Sequence, residues 1–419
     1  MQLVEQHLIK SNNLFYKECD GLCFKSKNLY NSCLYKIKQE YILNKNSVLS
    51  QLHQLMKNTD EYRELPAKVS SNVLRSVYKN FKSFFSSVDS YKNNPSRFKG
   101  KPRMPNYLDK ESGRFYAMFG NQAISQKVFR ISNKLKLHRS AIEFKTKIKD
   151  FKDINCVRII PHNGYYIIEV VYTVPDKNKL SDNTRYLALD LGINNLATLT
   201  SNTEEVNPLI FNGKPLKSIN QYYNKKKANI YSTLEKRNKK KNSKRLNRLE
   251  LKRKNKLDHL LHTASKDIVK IAKDNEINTI VIGKNKEWKQ EINLGKRNNQ
   301  SFNNIPHSRF IDMIKYKCEM SGINVIEREE SYTSKASFID NDIIPTFNKK
   351  NKTSHEFSGK RIKRGLYKSK NGKIINADVN GSYNILKKAF PNSFTCNGIE
   401  GVRVHPTIHI RNNILVKLN

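Results

Sequence analysis

The chain has 419 residues, with 78 Lys and Arg against 37 Asp and Glu, for a formal charge of +41. That length makes two or three domains, and the shortage of acids points to a polyanionic partner, nucleic acid above all. Six scattered cysteines without a CxxC pair exclude a disulfide framework, and no run nears the ~18 apolar residues of a membrane span.

The opening MQLVEQHLIKSNN carries acid and has no long apolar core, so it is not a signal peptide. A cytoplasmic protein with no membrane partner is expected. QLVEQHLIK reads as a short strand. Gly21–Glu40 reads as a helix, with Leu22, Leu29, Tyr30, Cys33, Leu34 and Ile37 at the 3.6 period. Leu65–Val88 reads as another, its core stripe formed by Val69, Val73, Leu74, Val77, Phe81, Phe84 and Phe85. Tyr91–Pro105 is a basic Pro/Gly linker. From Arg114 to Val174 the pattern turns to short strands: FYAMFGNQAISQ, KVFRIS, LKLH, AIEFKT, NCVRIIPHN and GYYIIEVVYTV. Asn163–Gly164 marks a hairpin, and the strand spacing suggests a small barrel.

Pro175–Asn183 links this half to the next. In Tyr186–Thr200, YLALDLGINNLATLT, an apolar run delivers Asp190, Gly192 allows a turn, and a second run leads away. That is strand, tight turn, strand, with a carboxylate at the end of the first strand. Pro208–Gly213 offers a third strand. A polar helical region follows, in which twelve of the twenty-one residues Lys236–Lys256 are Lys or Arg and Glu250 is the sole acid. Leu257, Leu260, Leu261, Ala264, Ile268, Val269 and Ala272 then form a buried stripe. Asn278–Ile282 reads as a buried strand, Ile305–Ser321 as a helix and Asn324–Glu330 as a strand. Ala377, Ile385, Leu386 and Ala389 place Asp378 in the first turn of a late helix, where an acid suits the helix dipole. Asp190 and Asp378 could meet at one sheet edge and offer hard oxygen ligands to magnesium.

DLGINNLAT, SYTSK and NADVNGSYNIL resemble the first, the pre-insert and the last signature blocks of TnpB, the RNA-guided nuclease of bacterial insertion sequences and a relative of type V CRISPR effectors. The resemblance spans most of Thr184–Lys388, with the blocks in order. It implies an α+β multidomain chain: an oligonucleotide-binding-like β-barrel (wedge) with an inserted helical recognition lobe, then an RNase H-like (RuvC) α/β nuclease. On that reading residues 1–20 and 106–178 form the wedge, and 21–105 the recognition lobe. Residues 179–333 and 376–419 form the nuclease with its tail, and 334–375 form an insert. Most relatives carry a four-cysteine zinc ribbon at the insert. This chain has no cysteine there, so no structural zinc is expected.

An RNase H fold normally ends its next strand in glutamate, but Val281–Ile282 is followed by Gly283. Two explanations stand: a nuclease-inactive RNA-guided repressor, or a relocated acid. The strand Asn324–Glu330 should run parallel to the one ending at Gly283, bringing its end to the same edge. Some TnpB relatives and Fanzor proteins resemble this pattern, with glutamate just before the Tyr-Thr-Ser block. That match selects Glu330, with Glu329 as the alternative and Glu287 and Glu291 behind.

The expectation is therefore an RNA-guided DNA endonuclease in which Asp190, Glu330 and Asp378 bind two Mg²⁺ ions. Its partners would be a guide RNA and target double-stranded DNA, and on DNA it would sit with the nucleoid. The alternatives are the inactive repressor and a CRISPR-associated effector of type V kind. Asn72, Arg75, Lys79, Asn121 and Gln122 are candidate base readers, since Asn and Gln pair with adenine and Arg with guanine. Lys236, Arg237, Lys240, Lys244, Arg245, Arg248, Lys252 and Arg253 are candidates for contact with an RNA–DNA hybrid.

Overall fold

The computed structural model describes residues 1–43, 48–238, 242–285, 304–347, 355–363, 365–394 and 403–409. The chain divides into two compact units, Met1–Pro175 and Asp176–Asn419. Among the described residues no helix is long and apolar enough to cross a membrane.

In the first unit β1 (Gln2–Lys10) is followed by α1 (Tyr16–Leu43), α2 (Val48–Met56), α3 (Asp60–Arg63) and α4 (Ala67–Asn93). Then come β2 (Ala117–Gly120), α5 (Gln126–Ser132), β3 (Lys134–Lys136), β4 (Glu143–Lys145), β5 (Ile154–His162) and β6 (Tyr165–Thr173). Four strands form an antiparallel sheet in the order β1-β6-β5-β2, and β3 pairs separately with β4. The described strands thus make an open sheet and a ribbon. Gly164, at φ +84°, turns the β5–β6 hairpin where the Asn-Gly pair predicts it. Val73, Val77 and Phe81 of α4 share one buried core with Cys23 and Leu29 of α1 and with Phe119, Val157 and Ile168 of the sheet.

Lys127–Ser132, expected as a strand, is the helix α5 instead. Its capping outweighs its β-branched and aromatic content. The Ser125 hydroxyl accepts from the Val128 N–H at the start, and Asn133 ends the helix in the left-handed region at φ +51°.

The second unit opens with β7 (Tyr186–Leu191), β8 (Asn195–Ser201), β9 (Leu209–Asn212), α6 (Lys214–Asn238) and α7 (Lys244–Asp274). β10 (Thr279–Gly283), α8 (His307–Glu319) and β11 (Asn324–Arg328) follow. Next are β12 (Lys360–Lys363), β13 (Leu366–Lys368), β14 (Ile374–Asn376), α9 (Ala377–Ala389) and β15 (Thr407–Ile408). The main sheet has the order β11-β10-β7-β8-β9-β15. β7, β10 and β11 run parallel, and β8 is antiparallel to both its neighbours.

Both faces of this sheet are covered, so its central strands lack polar alternation. Leu187, Leu189, Ile280 and Ile282 pack with Leu261 and Ile268 of α7 and Phe310 and Ile314 of α8. Tyr186, Ala188 and Val281 pack on the other face with Ile385 and Leu386 of α9. Because side chains alternate along a strand, Asp190 and Gly283 belong to the α9 face.

β12, β13 and β14 form a small antiparallel sheet. Tyr367 at its centre is fully buried and donates its hydroxyl to the Lys335 carbonyl at 2.7 Å. The Asp342 carboxylate accepts from the Ser337 and Ser358 N–H groups at 2.7 and 3.1 Å. Asp340 accepts from the Ser337 hydroxyl and the Lys370 N–H at 2.6 and 2.9 Å. Two carboxylates thus tie the insert's loops together with hydrogen bonds.

Candidate active site

Asp190 lies one residue before the end of β7 and faces α9. Asn376 caps α9, its side chain accepting from the Asp378 and Val379 N–H groups at 3.0 and 3.1 Å. Asp378 therefore sits in the first helical turn with its backbone fixed. Its carboxylate is fixed from the first strand pair: Asn195 Nδ2 donates to Asp378 Oδ2 at 2.6 Å.

Two glycines make this convergence possible. A β-carbon on Gly381 would stand 2.8 Å from Asp190 Oδ2, so the bare helix backbone lets that carboxylate settle against α9. A β-carbon on Gly283 would stand 2.8 Å from Glu330 Oε2 and 2.5 Å from Ile385 Cδ1. The space where β10 could carry an acid is filled by the Glu330 carboxylate, reaching in from beyond β11.

The parallel register explains the reach. Gly283 pairs with Arg328, and Glu330 follows two residues later. Asn285 braces it from both sides: its Oδ1 accepts from the Glu330 N–H at 3.1 Å, and its Nδ2 donates to Glu330 Oε1 at 3.3 Å. Glu329 turns away to an ion pair with Lys388 of α9, and its Oε1 accepts from the Ser331 N–H at 2.9 Å. Burial works to raise the Glu329 pKa, but Lys388 and Ser331 outweigh it and hold the group below the usual range. Glu287 and Glu291 lie outside the described residues.

Charge accumulates at this point. Burial raises the Asp190 pKa well above the carboxylate range, and the charges of Glu330 and Asp378 raise it further, against Arg361 alone. Burial pushes Glu330 up to about 7, with Glu329 adding to the shift and Lys388 opposing it. Arg361, on β12, brings its guanidinium to 3.7 Å from Asp378 Oδ1 and is half exposed. Among the described residues, no three His, Cys, Asp or Glu side chains form a ready-made metal cage.

A buried polar ladder along α9 holds the parts in register. The Ser382 hydroxyl meets Thr200 Oγ1 at 2.9 Å and donates towards the Ala188 and Thr198 carbonyls at 3.2 and 3.1 Å. Asn380 Nδ2 donates to the Ala336 carbonyl at 2.8 Å, and its Oδ1 accepts from the Phe338 N–H at 2.9 Å. Asn384 Nδ2 donates to the Thr333 and Ala336 carbonyls at 2.8 and 2.7 Å. The three sequence blocks, far apart in the chain, are thus bonded to one another.

A family model described as a probable transposase, OrfB of the IS605 kind, matches residues 169–289. A model described as the TNB domain of Cas12f1-like proteins matches residues 307–385. Both matches are consistent with the TnpB resemblance. The two matches take in all three acids of the candidate site. No curated protein matches the chain. Among solved structures, a Cas12f1–sgRNA–target DNA complex is similar at 16% identity and a TM-score of 0.35, over 91% of this chain and 98% of that one. A CRISPR–Cas12f ternary complex is similar at 15% identity and a TM-score of 0.35, over 88% and 81%.

The remaining sequence candidates scatter. Asn72 on α4 donates to the Met118 carbonyl of β2 at 2.9 Å, while Arg75 and Lys79 are exposed further along the same helix. Asn121 and Gln122 are exposed on the short turn after β2. Lys236, Lys244, Arg245, Arg248 and Lys252 are exposed on α6 and α7. Arg253 turns inward, donating to Asn220 Oδ1 at 2.7 Å. Lys240 and the side chain of Arg237 lie outside the described residues. Sequence reading missed Asn195, Asn285 and Arg361. Asn195 sits inside the first block and was legible as a polar neighbour of Asp190; the other two carry no pattern of their own.

Proposed function

We propose that this chain is an RNA-guided, Mg²⁺-dependent DNA endonuclease of the TnpB kind, with its second unit an RNase H-like RuvC domain. What carries the reading is the approach of Asp190, Glu330 and Asp378 on one face of the sheet, around two glycines that leave them room. The same reading takes the first unit as the wedge and recognition lobe.

The donor set fits magnesium. Three carboxylates are hard oxygen ligands, and the burial and, behind it, the Glu330 and Asp378 charges that drive the Asp190 pKa upward are what a bound cation would offset. Asp190, Glu330 and Asp378 would hold the metal. Two Mg²⁺ ions there would supply Lewis-acid charge and a nucleophilic water for an in-line displacement at phosphorus. The chain's own groups do the rest. Asn195 and Asn285 fix the direction of the Asp378 and Glu330 carboxylates. Arg361, beside Asp378 and open to solvent, offers a guanidinium to a non-bridging phosphate oxygen. Guide pairing would supply sequence specificity, and the protein would read a short flanking motif and duplex shape.

The inactive-repressor reading rests on the acid missing at Gly283. The Glu330 carboxylate in that space supports the nuclease instead. The test is cleavage of a guide-matched plasmid by the protein purified with its RNA. Asp190→Ala abolishes cutting and keeps RNA binding. Cutting at the wild-type rate would remove Asp190 from the mechanism.

A further inference from the structure

β11 ends at Arg328, so a strand ladder does not set the direction of Glu330. One ammonium holds the segment instead. Lys388, near the end of α9, donates to the Glu329 carboxylate, to the Ser331 carbonyl at 3.1 Å and to the Pro345 carbonyl at 3.2 Å. The first two partners flank Glu330. An ammonium has three donors, and three acceptors meet it here. The Lys388 side chain is only 5% exposed. A buried ion is costly to desolvate, and apolar side chains of like volume often serve stability as well or better. Packing alone therefore gives no reason for a lysine at this position.

The turn that follows is strained. Tyr332 sits at φ +66°, where a bulky residue is an outlier, and such a backbone persists only when its surroundings fix it. The Glu330 carbonyl accepts from the Thr333 N–H at 3.2 Å and from its hydroxyl at 2.8 Å, which closes the turn. The Ser331 carbonyl held by Lys388 lies between these two anchors.

We propose that Lys388 is a positioning residue for the metal site: by gripping the residues on both sides of Glu330, it keeps that carboxylate turned into the space beside Gly283. It acts through the backbone and not as a ligand. The inference rests on the reading of Asp190, Glu330 and Asp378 as metal ligands. A carboxylate held ready binds its ion without first losing freedom. Loosening it weakens metal binding, and a saturating metal concentration restores the arrangement. The adjacent Lys387 provides the comparison. It donates to Asn341 Oδ1 at 2.5 Å and to the Asp342 carbonyl at 2.9 Å, so it holds the same segment but further from Glu330.

The test compares the wild type with Lys388→Met, Lys388→Gln, Lys387→Met and Asp190→Ala. Electron paramagnetic resonance reads Mn²⁺ binding to the full chain freed of RNA by high salt. Plasmid cleavage by the protein purified with its RNA gives the half-saturating Mg²⁺ and the rate at saturation. Lys388→Met should weaken Mn²⁺ binding and raise the half-saturating Mg²⁺, each about 10-fold, while most of the saturated rate returns. Lys388→Gln keeps two N–H donors and should fall between Lys388→Met and the wild type; it carries the comparison if Lys388→Met does not fold. Lys387→Met should leave both values unchanged, and Asp190→Ala should lose the ion. Urea unfolding sets the temperature at which only folded molecules are compared. Wild-type Mn²⁺ binding by Asp190→Ala would remove the metal site and the inference with it. Loss in Asp190→Ala with wild-type values in both Lys388 variants, or equal shifts in Lys387→Met and Lys388→Met, would leave the site standing and overturn the role of Lys388.

Discussion

Gly283 and Glu330 share one space: a β-carbon on the glycine would lie 2.8 Å from the glutamate's Oε2. The absence of a side chain in one strand is therefore the condition for the presence of a carboxylate arriving from the next. A strand end without its acid and an acid just past the neighbouring strand are two halves of one arrangement.

Gly283→Ala tests that relation without removing any acid. The new methyl meets Ile385, which is fully buried, and the Glu330 carboxylate. Overpacking of this kind costs about 1–3 kcal/mol. The variant should unfold at lower urea and lose guide-directed cleavage even at a temperature where it is fully folded. Wild-type cleavage in Gly283→Ala would show that Glu330 need not occupy that space.

Asn384→Ala tests the ladder along α9. The substitution leaves the buried Thr333 and Ala336 carbonyls without the amide that serves both, although Asn380 still reaches Ala336. Leaving a buried acceptor unsatisfied costs about 1–3 kcal/mol. Urea unfolding should show that loss. Limited proteolysis should find the segment after Glu330 cut sooner. Unchanged proteolysis would mean that Asn380 alone holds the segment.

The first unit carries its own pH dependence. Arg114 donates to Asp20 Oδ1 at 2.7 Å and Tyr166 donates to the same oxygen at 2.5 Å. The Arg114 hydrogen bond holds the Asp20 pKa below its ordinary value near 3.8, overcoming burial, and Tyr166 adds to the lowering. The stability from this contact is present above that ordinary value and is lost as pH falls through the lower folded value. Asp20 is over a third exposed, so solvent screens part of the effect. Asp20→Asn should be less stable than the parent at pH 7, with the gap closing as pH falls through the lowered folded pKa of Asp20. A gap that stays constant from pH 7 to pH 2 would exclude the ionised contact as its source.

Much of the second unit was legible because β7 and β10 are apolar runs long enough for a strand and too short for a helix. The βαβ rule then placed β11 parallel to β10 before any coordinates. Periodicity is silent on the register between strands, and that register is what brings Glu330 level with the space at Gly283. It also could not choose between Glu329 and Glu330. Both lie past Arg328, the last residue of β11, where alternation no longer applies. The choice comes from Lys388, the twelfth residue of a helix and nearly sixty positions away, which draws Glu329 to itself. Arg361 was hidden for a similar reason. It is one cation in a basic stretch, distinguished only by the small sheet that sets it beside Asp378. In the first unit, Lys127–Ser132 misled because its side chains favour a strand while Ser125 and Asn133, at its two ends, favour a short helix.

The central claim is that one of two adjacent glutamates serves the chemistry and the other serves the fold. Cleavage of a guide-matched plasmid in Mg²⁺ should be compared for the wild type, Glu330→Gln and Glu329→Gln, each purified with its RNA. Cutting should fall to background in Glu330→Gln and persist, at reduced thermal stability, in Glu329→Gln. Wild-type cutting by Glu330→Gln, or loss confined to Glu329→Gln, would contradict the account.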